Sequence, residues 1–380
     1  MPPTPAKPVR RHTGTRLQET GLLAVIFVLG GILAVFGGKV KVPVFEKNEQ
    51  GEQQRVFITN AAGEREPVMR EKNKFFNAQN LTQLAKDTSF IAIMAVGATF
   101  VIISGGIDLS VGAIYALASV VGALVLHRFG PEGTNSGGSG AILAGIFACV
   151  GLATFCGLLN GGMIVALRVH PFIITLGTMA IYRGISFVIT NGQSVGGFPQ
   201  GFRVLVRPEL AGSDAGNHLS LVPLGIMVLV ALAGGVYLAR LAAGRRIYAI
   251  GGNERASRFS GVRVERVKLS VYIISGLTAG ISALLALGYY GSASSGDGVG
   301  YELDVITAAV VGGASLSGGK GTALGALLGA LIIKMIDNGI VILGIDQNYS
   351  KIIIGAAVIL AVVFDQVNAW LARRRLLRAT

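Results

Sequence analysis

Apolar runs separated by short polar stretches organise this chain from end to end. A Pro-rich, basic start gives way to a first run over 21–38. Further runs lie at roughly 85–103, 109–127, 141–166, 172–190, 221–239, 269–290, 303–316, 321–337 and 350–368. The pattern predicts an all-α integral membrane protein of about ten transmembrane helices. A full crossing needs about 20 residues, so the shorter runs predict broken or re-entrant segments. No small-residue cleavage site follows the first run, which reads as an uncleaved anchor.

The polar stretches divide the rest. Residues 1–20 form a basic tail, 39–80 a charged insertion, 81–368 the core, and 369–380 a second basic tail. Within the insertion, alternating apolar residues around Val40 to Phe45 and Arg55 to Ile58 flank Asn48-Glu49-Gln50-Gly51, which predicts a small external hairpin. The other marked stretch is 240–268. It carries Arg240, Arg245, Arg246, Arg255, Arg258, Arg263, Arg266 and Lys268 against Glu254 and Glu265. Lys and Arg favour the cytoplasmic side, so this loop and both tails are expected there, with the insertion outside.

Inside that loop, Gly251-Gly252-Asn253-Glu254-Arg255-Ala256-Ser257-Arg258-Phe259-Ser260-Gly261 reads as a short helix. Asn253 is the expected N-cap and Gly261 the terminator. Glu254 suits the positive helix start and pairs with Arg258 four residues on. Phe259 is its one large apolar knob. The segment reads either as a docking handle for a soluble partner or as a solvated topology marker.

Composition fixes the setting. Of 380 residues 52% are hydrophobic and 14% charged, with mean hydropathy +0.62, which excludes an ordinary soluble domain. The net charge of +13 sits mainly in the tails and one loop, so topology accounts for it and nucleic acid is not an expected partner. Two cysteines and four scattered histidines give no metal spacing.

Two glycine-rich interruptions echo one another. Gly105-Gly106-Ile107-Asp108-Leu109-Ser110-Val111-Gly112 and Gly312-Gly313-Ala314-Ser315-Leu316-Ser317-Gly318-Gly319 share the pattern GGxxLSxG. Paired interruptions suggest two internally related halves around a path, with Asp108 or Ser110 and Ser315 or Ser317 capping the helix that follows. Asp108 is an intramembrane carboxylate, expected to cap a helix or line a gate. Arg183 must face protein or water. Lys334 and Asp337 form a local pair near the external end. Gly157 with Gly161, Gly276 with Gly280, and Gly321 with Gly325 and Gly329 give smooth faces for helix packing or a dimer seam.

No enzymatic motif is present. Gly318-Gly319-Lys320-Gly321 lacks both the leading Gly and the Ser or Thr of a phosphate-binding loop, so ATP would be bound by another subunit.

From about Phe75 to Asp365 the sequence resembles the permease subunits of bacterial ABC importers for monosaccharides, the group of ribose, xylose and galactose permeases. The resemblance rests on Phe76-Asn77-Ala78-Gln79-Asn80-Leu81, both GGxxLSxG segments, Asn160-Gly161, Thr175-Leu176-Gly177-Thr178-Met179 with Arg183-Gly184, Thr190-Asn191-Gly192, Tyr248-Ala249-Ile250-Gly251-Gly252-Asn253 and Ser260-Gly261-Val262. It implies a multi-pass inner-membrane permease that pairs with a second copy. It also implies a periplasmic sugar-binding protein and cytoplasmic ATP-binding subunits, which hold the ATP and magnesium. Gly251 to Gly261 is similar to that family's ATPase-coupling helix. Candidates for the translocation path or gate are Asp108, Ser110, Asn160, Arg183, Asn191, Ser315 and Ser317. A nucleoside, sugar alcohol or inositol is the alternative cargo, and a secondary transporter without ATP the alternative class. The 39–74 segment is longer than the family usually carries, and His170 stands where Pro or a small polar residue is usual.

Overall fold

Helix lengths follow the apolar runs and overshoot most of them. The computed structural model describes residues 13–47, 53–59, 64–129, 139–208, 220–356, 359–360 and 363. Eight helices are long and apolar enough to cross a membrane: α1 (Thr13–Phe36), α2 (Ala78–Ile103), α3 (Val111–Phe129), α4 (Ser139–Leu167), α5 (Pro171–Thr190), α7 (Val222–Arg240), α10 (Val264–Tyr290) and α12 (Ala323–Ile342). Shorter helices are α6 (Gln200–Val206), α8 (Ala242–Gly252), α9 (Glu254–Phe259) and α11 (Tyr301–Val311). At 11 residues, α11 is about 16 Å long and stops well short of a crossing. The run at 303–316 is thus a half-helix, whereas that at 321–337 is a full one. A further helix starts at 349; residues 1–12 of the first tail, Asn48 to Gly51, about half of the last run and residues 369–380 lie outside the described residues.

Polar first turns hide the true start of α2. The Asn77 side chain accepts from the Asn80 N–H at 2.8 Å, and Asn80 exchanges side-chain hydrogen bonds with Asn338 of α12. The helix therefore begins at Ala78 and the charged insertion ends before it. α2 is the axis of the bundle, 94% of its apolar window being buried, against 11% for α1 and 22% for α5 and α7. Those outer helices present apolar surface to lipid or to another chain.

Close packing uses the predicted small-residue faces within one copy. A Cβ on Gly157 would lie 2.3 Å from the Tyr272 carbonyl, and one on Gly276 2.3 Å from that of Ala153, so α4 and α10 touch backbone to backbone. Gly325 and Gly329 meet Gly312 and Ala308 of α11 in the same manner.

The charged insertion is more than one hairpin. Strands β1 (Lys39–Pro43) and β6 (Met69–Asn73), β2 (Phe45–Lys47) and β3 (Gln53–Arg55), and β4 (Phe57–Thr59) and β5 (Arg65–Pro67) form three antiparallel ladders. The connecting residues Val44, Val56 and Val68 recur every twelve positions. Their backbones bond in a cycle: Val44 N–H to Val68 O at 2.9 Å, Val68 N–H to Val56 O at 2.8 Å, and Val56 N–H to Val44 O at 3.0 Å. Of the two strands expected to form a hairpin, only Phe45 and Arg55 pair in a ladder with each other; Val40 to Pro43 pair with β6, and Phe57 and Ile58 with β5, which makes a three-leaved outgrowth. The Asn73 side chain pins its base by donating to Ala34 O at 2.7 Å.

Candidate functional site

The basic stretch at 240–268 is largely helical. In α8, Gly244, Ile247 and Ile250 are buried while Arg245 and Arg246 are exposed, and the Tyr248 hydroxyl donates to Gly321 O at 2.7 Å. Gly251 and Gly252 are the last residues of α8. Extended backbone at Asn253 (φ −162°) then separates it from α9, which Asn253 caps by accepting from Ala256 N–H at 2.9 Å. Ser260 closes α9, and Gly261 turns left-handed at φ +80°. The Val262 N–H bonds back to Ser257 O at 3.0 Å, which satisfies an end carbonyl.

Ion pairs hold α9 against the start of α10. Glu254 meets Lys268 at 2.8 Å and Arg258 at 3.6 Å, while Arg258 also bonds Glu265. Ser257 is the buried residue of α9; Arg255 and Ala256 are exposed, and Phe259 is 91% exposed. Six residues are too few to hold a helix alone, so the cap and these pairs fix it, with its largest apolar side chain pointing away from the chain.

The end of α8 is joined to the two interruptions through backbone. The Gly319 N–H donates to Ile103 O, the end of α2, at 2.8 Å. A Cβ on Gly251 would lie 1.7 Å from that oxygen and 2.5 Å from Gly319 N, and one on Gly318 would reach Gly251 O at 2.7 Å and Gly105 Cα at 3.2 Å. Both GGxxLSxG segments thus meet at the base of α8.

Deeper in the bundle, Asp108 is 2% exposed. Its Oδ1 accepts from the Ser110 N–H (3.0 Å) and hydroxyl (2.6 Å), and its Oδ2 from the Ser275 hydroxyl (2.8 Å). Asn160 Nδ2 donates to Ser110 Oγ at 2.7 Å, and Tyr182 to Asn160 Oδ1 at 3.2 Å. One network thereby ties the start of α3 to α4, α5 and α10. Three donors to one carboxyl group recover part of the cost of burying it. On α5 the buried positions are Thr175, Thr178, Tyr182, Ser186 and Thr190, all hydroxyl-bearing, so this helix turns its polar face inward.

The remaining candidates scatter. Arg183 Nη1 donates to Ser295 O at 2.8 Å and to Asp297 O, bracing the segment before α11. Asn191 is the exposed left-handed cap of α5 (φ +50°). Ser315 is buried in the second interruption and Ser317 is exposed. Neither caps α12: Thr322 does, accepting from Gly325 N–H at 2.9 Å. Gly318, Gly319 and Gly321 have φ of +82°, +74° and +146°, so no helix passes through them and the start moves beyond. Lys334 makes the expected local pair with Asp337 at 2.9 Å and extends it across helices to Asp304 of α11 at 3.2 Å. Sequence reasoning missed Ser275, Tyr182, Asp304 and Thr322; of these, only Thr322 before Ala323 carried a local signal, a capping residue ahead of an apolar run.

Comparison with known proteins follows the same lines. Residues 80–362 match the family described as branched-chain amino acid transport system / permease component. The ribose import permease protein RbsC of Escherichia coli is 40% identical over 294 residues, 77% of this chain and 87% of that protein. The D-allose transport system permease protein AlsC of Escherichia coli is 36% identical over 293 residues, covering 77% and 85%. The fructose import permease protein FrcC of Rhizobium meliloti is 32% identical over 305 residues, covering 77% and 79%. No solved structure matches the chain. With the family spanning most of its length and its eight long apolar helices in place, this chain belongs to the multi-pass permease components of that transport family.

Proposed function

We propose that this chain is the membrane-spanning permease of an ATP-driven importer for a monosaccharide, with ribose the first candidate. The observation that carries the reading is the 40% identity to a ribose import permease across 87% of its length. Two copies pair in the inner membrane, surrounded by lipid. Both termini and the α8–α9 end face the cytoplasm by the bias of Lys and Arg, and the β outgrowth faces the periplasm.

Each α9 seats Phe259 in a groove of an ATP-binding subunit, which holds the ATP and magnesium. Closure of those subunits displaces α8–α9. Because Gly251 abuts both Ile103 O and Gly319 N, α2 and the segment before α12 must move with it. The shift between outward- and inward-open states is then limited by the differential contacts of the ATPase with the two. The β outgrowth contacts the sugar-binding protein.

The test is uptake by proteoliposomes holding the permease with its cognate ATP-binding subunit and binding protein. ATP-dependent accumulation of D-ribose, D-allose or D-fructose is expected. Uptake of a nucleoside or inositol instead would replace the cargo, and sugar uptake without ATP would overturn the class.

A further inference from the structure

We infer that the polar cavity between α3, α10 and α11 is a resting site for an uncharged sugar inside a single copy of the chain, where α10 ends. The inference rests on the sugar-importer reading above and assigns that sugar a place. The cavity has a volume of about 360 Å³, inside the range of about 300–1,000 Å³ usual for small-molecule sites. Tyr115 and Ser119, one turn apart on α3, form one wall; Tyr290 ends α10 on another; Ser294, Asp297 and Tyr301 complete it from the segment that leads into α11.

The chemistry of these walls suits a polyol. The Tyr115 and Tyr301 rings lie 5.3 Å apart at 56°, an aromatic surface for the C–H face of a sugar ring. Tyrosine and serine hydroxyls both donate and accept, as sugar hydroxyls do. Asp297 is the charged group on the lining; its Oδ2 accepts from the Ser294 N–H at 2.8 Å, and a carboxylate keeps further lone pairs for ligand hydroxyls. No Lys or Arg lines the cavity. The guanidinium of Arg183 stands behind the wall and is directed at the carbonyls of Ser295 and Asp297, so it shapes the segment. Lys86 stands over the Tyr289 and Tyr290 rings, and Lys334 is paired with Asp304 and Asp337. A sugar phosphate would bring its charge beside Asp297 with no cation on the lining, and is disfavoured.

Position supports the same reading. The Tyr290 ring is 6.0 Å from that of Phe90, which stands twelve residues into the 26-residue α2. The Ser282 hydroxyl donates to Phe90 O at 2.9 Å, so Tyr290, eight residues further along α10, lies about 12 Å beyond that level and the cavity opens in the outer half of the bundle. Two helices start beside the cavity after breaks in the chain, α3 after the first interruption and α11 after the Ser294–Gly300 turns. Discontinuous helices opening on a polar cavity are an arrangement by which transporters hold cargo.

The assembled transporter carrying Ser294→Cys tests the site without relying on uptake, since Cys149 and Cys156 are buried. Labelling of the new thiol by a small hydrophilic thiosulfonate is expected to slow about threefold or more in excess D-ribose, D-allose or D-fructose. D-ribose 5-phosphate should give no protection. Equal protection by the phosphate, protection by none of the sugars, or no labelling in any nucleotide state would overturn the site. Asp297→Asn gives the second measurement. The sugar carried per ATP hydrolysed is expected to fall about tenfold, the loss of one charge-assisted hydrogen bond, whereas an unchanged ratio would overturn it. Failure of the importer reading would look different: the unmodified transporter would take up none of the three sugars.

Discussion

Gly251 and Gly252 are neighbours in sequence and opposites in tolerance. A Cβ at Gly251 would sit 1.7 Å from the Ile103 carbonyl oxygen, while one at Gly252 meets nothing within 4 Å. Gly251→Ala is therefore expected to cost about 1–3 kcal/mol through forced displacement of α2 or the Gly318-Gly319 turn. Gly252→Ala should fall within about 1 kcal/mol of neutral. Thermal unfolding of the detergent-solubilised permease measures both; equal midpoints would show that the junction yields freely. At Asp108, Asn keeps an acceptor for Ser110 but loses the charge that three donors share, so Asp108→Asn should cost about 1–3 kcal/mol in the same assay. Asp108 was conspicuous in the sequence because a carboxylate in an apolar run is rare. Its partner Ser275 was not, since 167 residues separate them and a serine in a helix carries no sign of what it faces.

At the level of elements, legibility followed locality. Both ends of α9 were readable because an Asn cap and a terminating Gly act within a few residues. α8 was not foreseen, because its buried face rests on little more than Ile247 and Ile250 among glycines and arginines. The start of α2 escapes the apolar pattern for the converse reason, as its first turn is polar, largely exposed and tied down through the Asn80–Asn338 bonds. For α9 the exposed Phe259 is the feature to probe. Burying a Phe side chain is worth about 1.5–3 kcal/mol, so Phe259→Ala should weaken the hold on the ATP-binding subunit by tenfold or more. Arg258→Glu places an acid between Glu254 and Glu265 and should release α9 from α10. In reconstituted vesicles both are expected to abolish sugar-stimulated ATP hydrolysis while membrane insertion stays intact. Full stimulation in either variant would remove α9 as the coupling element.

For the whole molecule, the count of apolar runs set the architecture, whereas the depth of each helix depended on what its ends met. The echo of glycines was visible; that both of its segments converge under α8 was not, because contact between distant backbones leaves no mark except the glycines themselves. The β outgrowth lies outside the matched family span of 80–362. Replacing residues 44–68 with a short turn, which retains the β1–β6 ladder, should leave the helical bundle folded. It should also raise the concentration of sugar-loaded binding protein needed for half-maximal uptake, and an unchanged requirement would remove that role from the outgrowth. The three valines at its hub hold one another in a loop of donors and acceptors that closes on itself. Such a wheel has no free end at which fraying begins. A proline at position 56 would delete one spoke and unlock the angles of all three leaves at once, so the outgrowth behaves as a single stiff bracket whose leaves cannot be retuned one at a time.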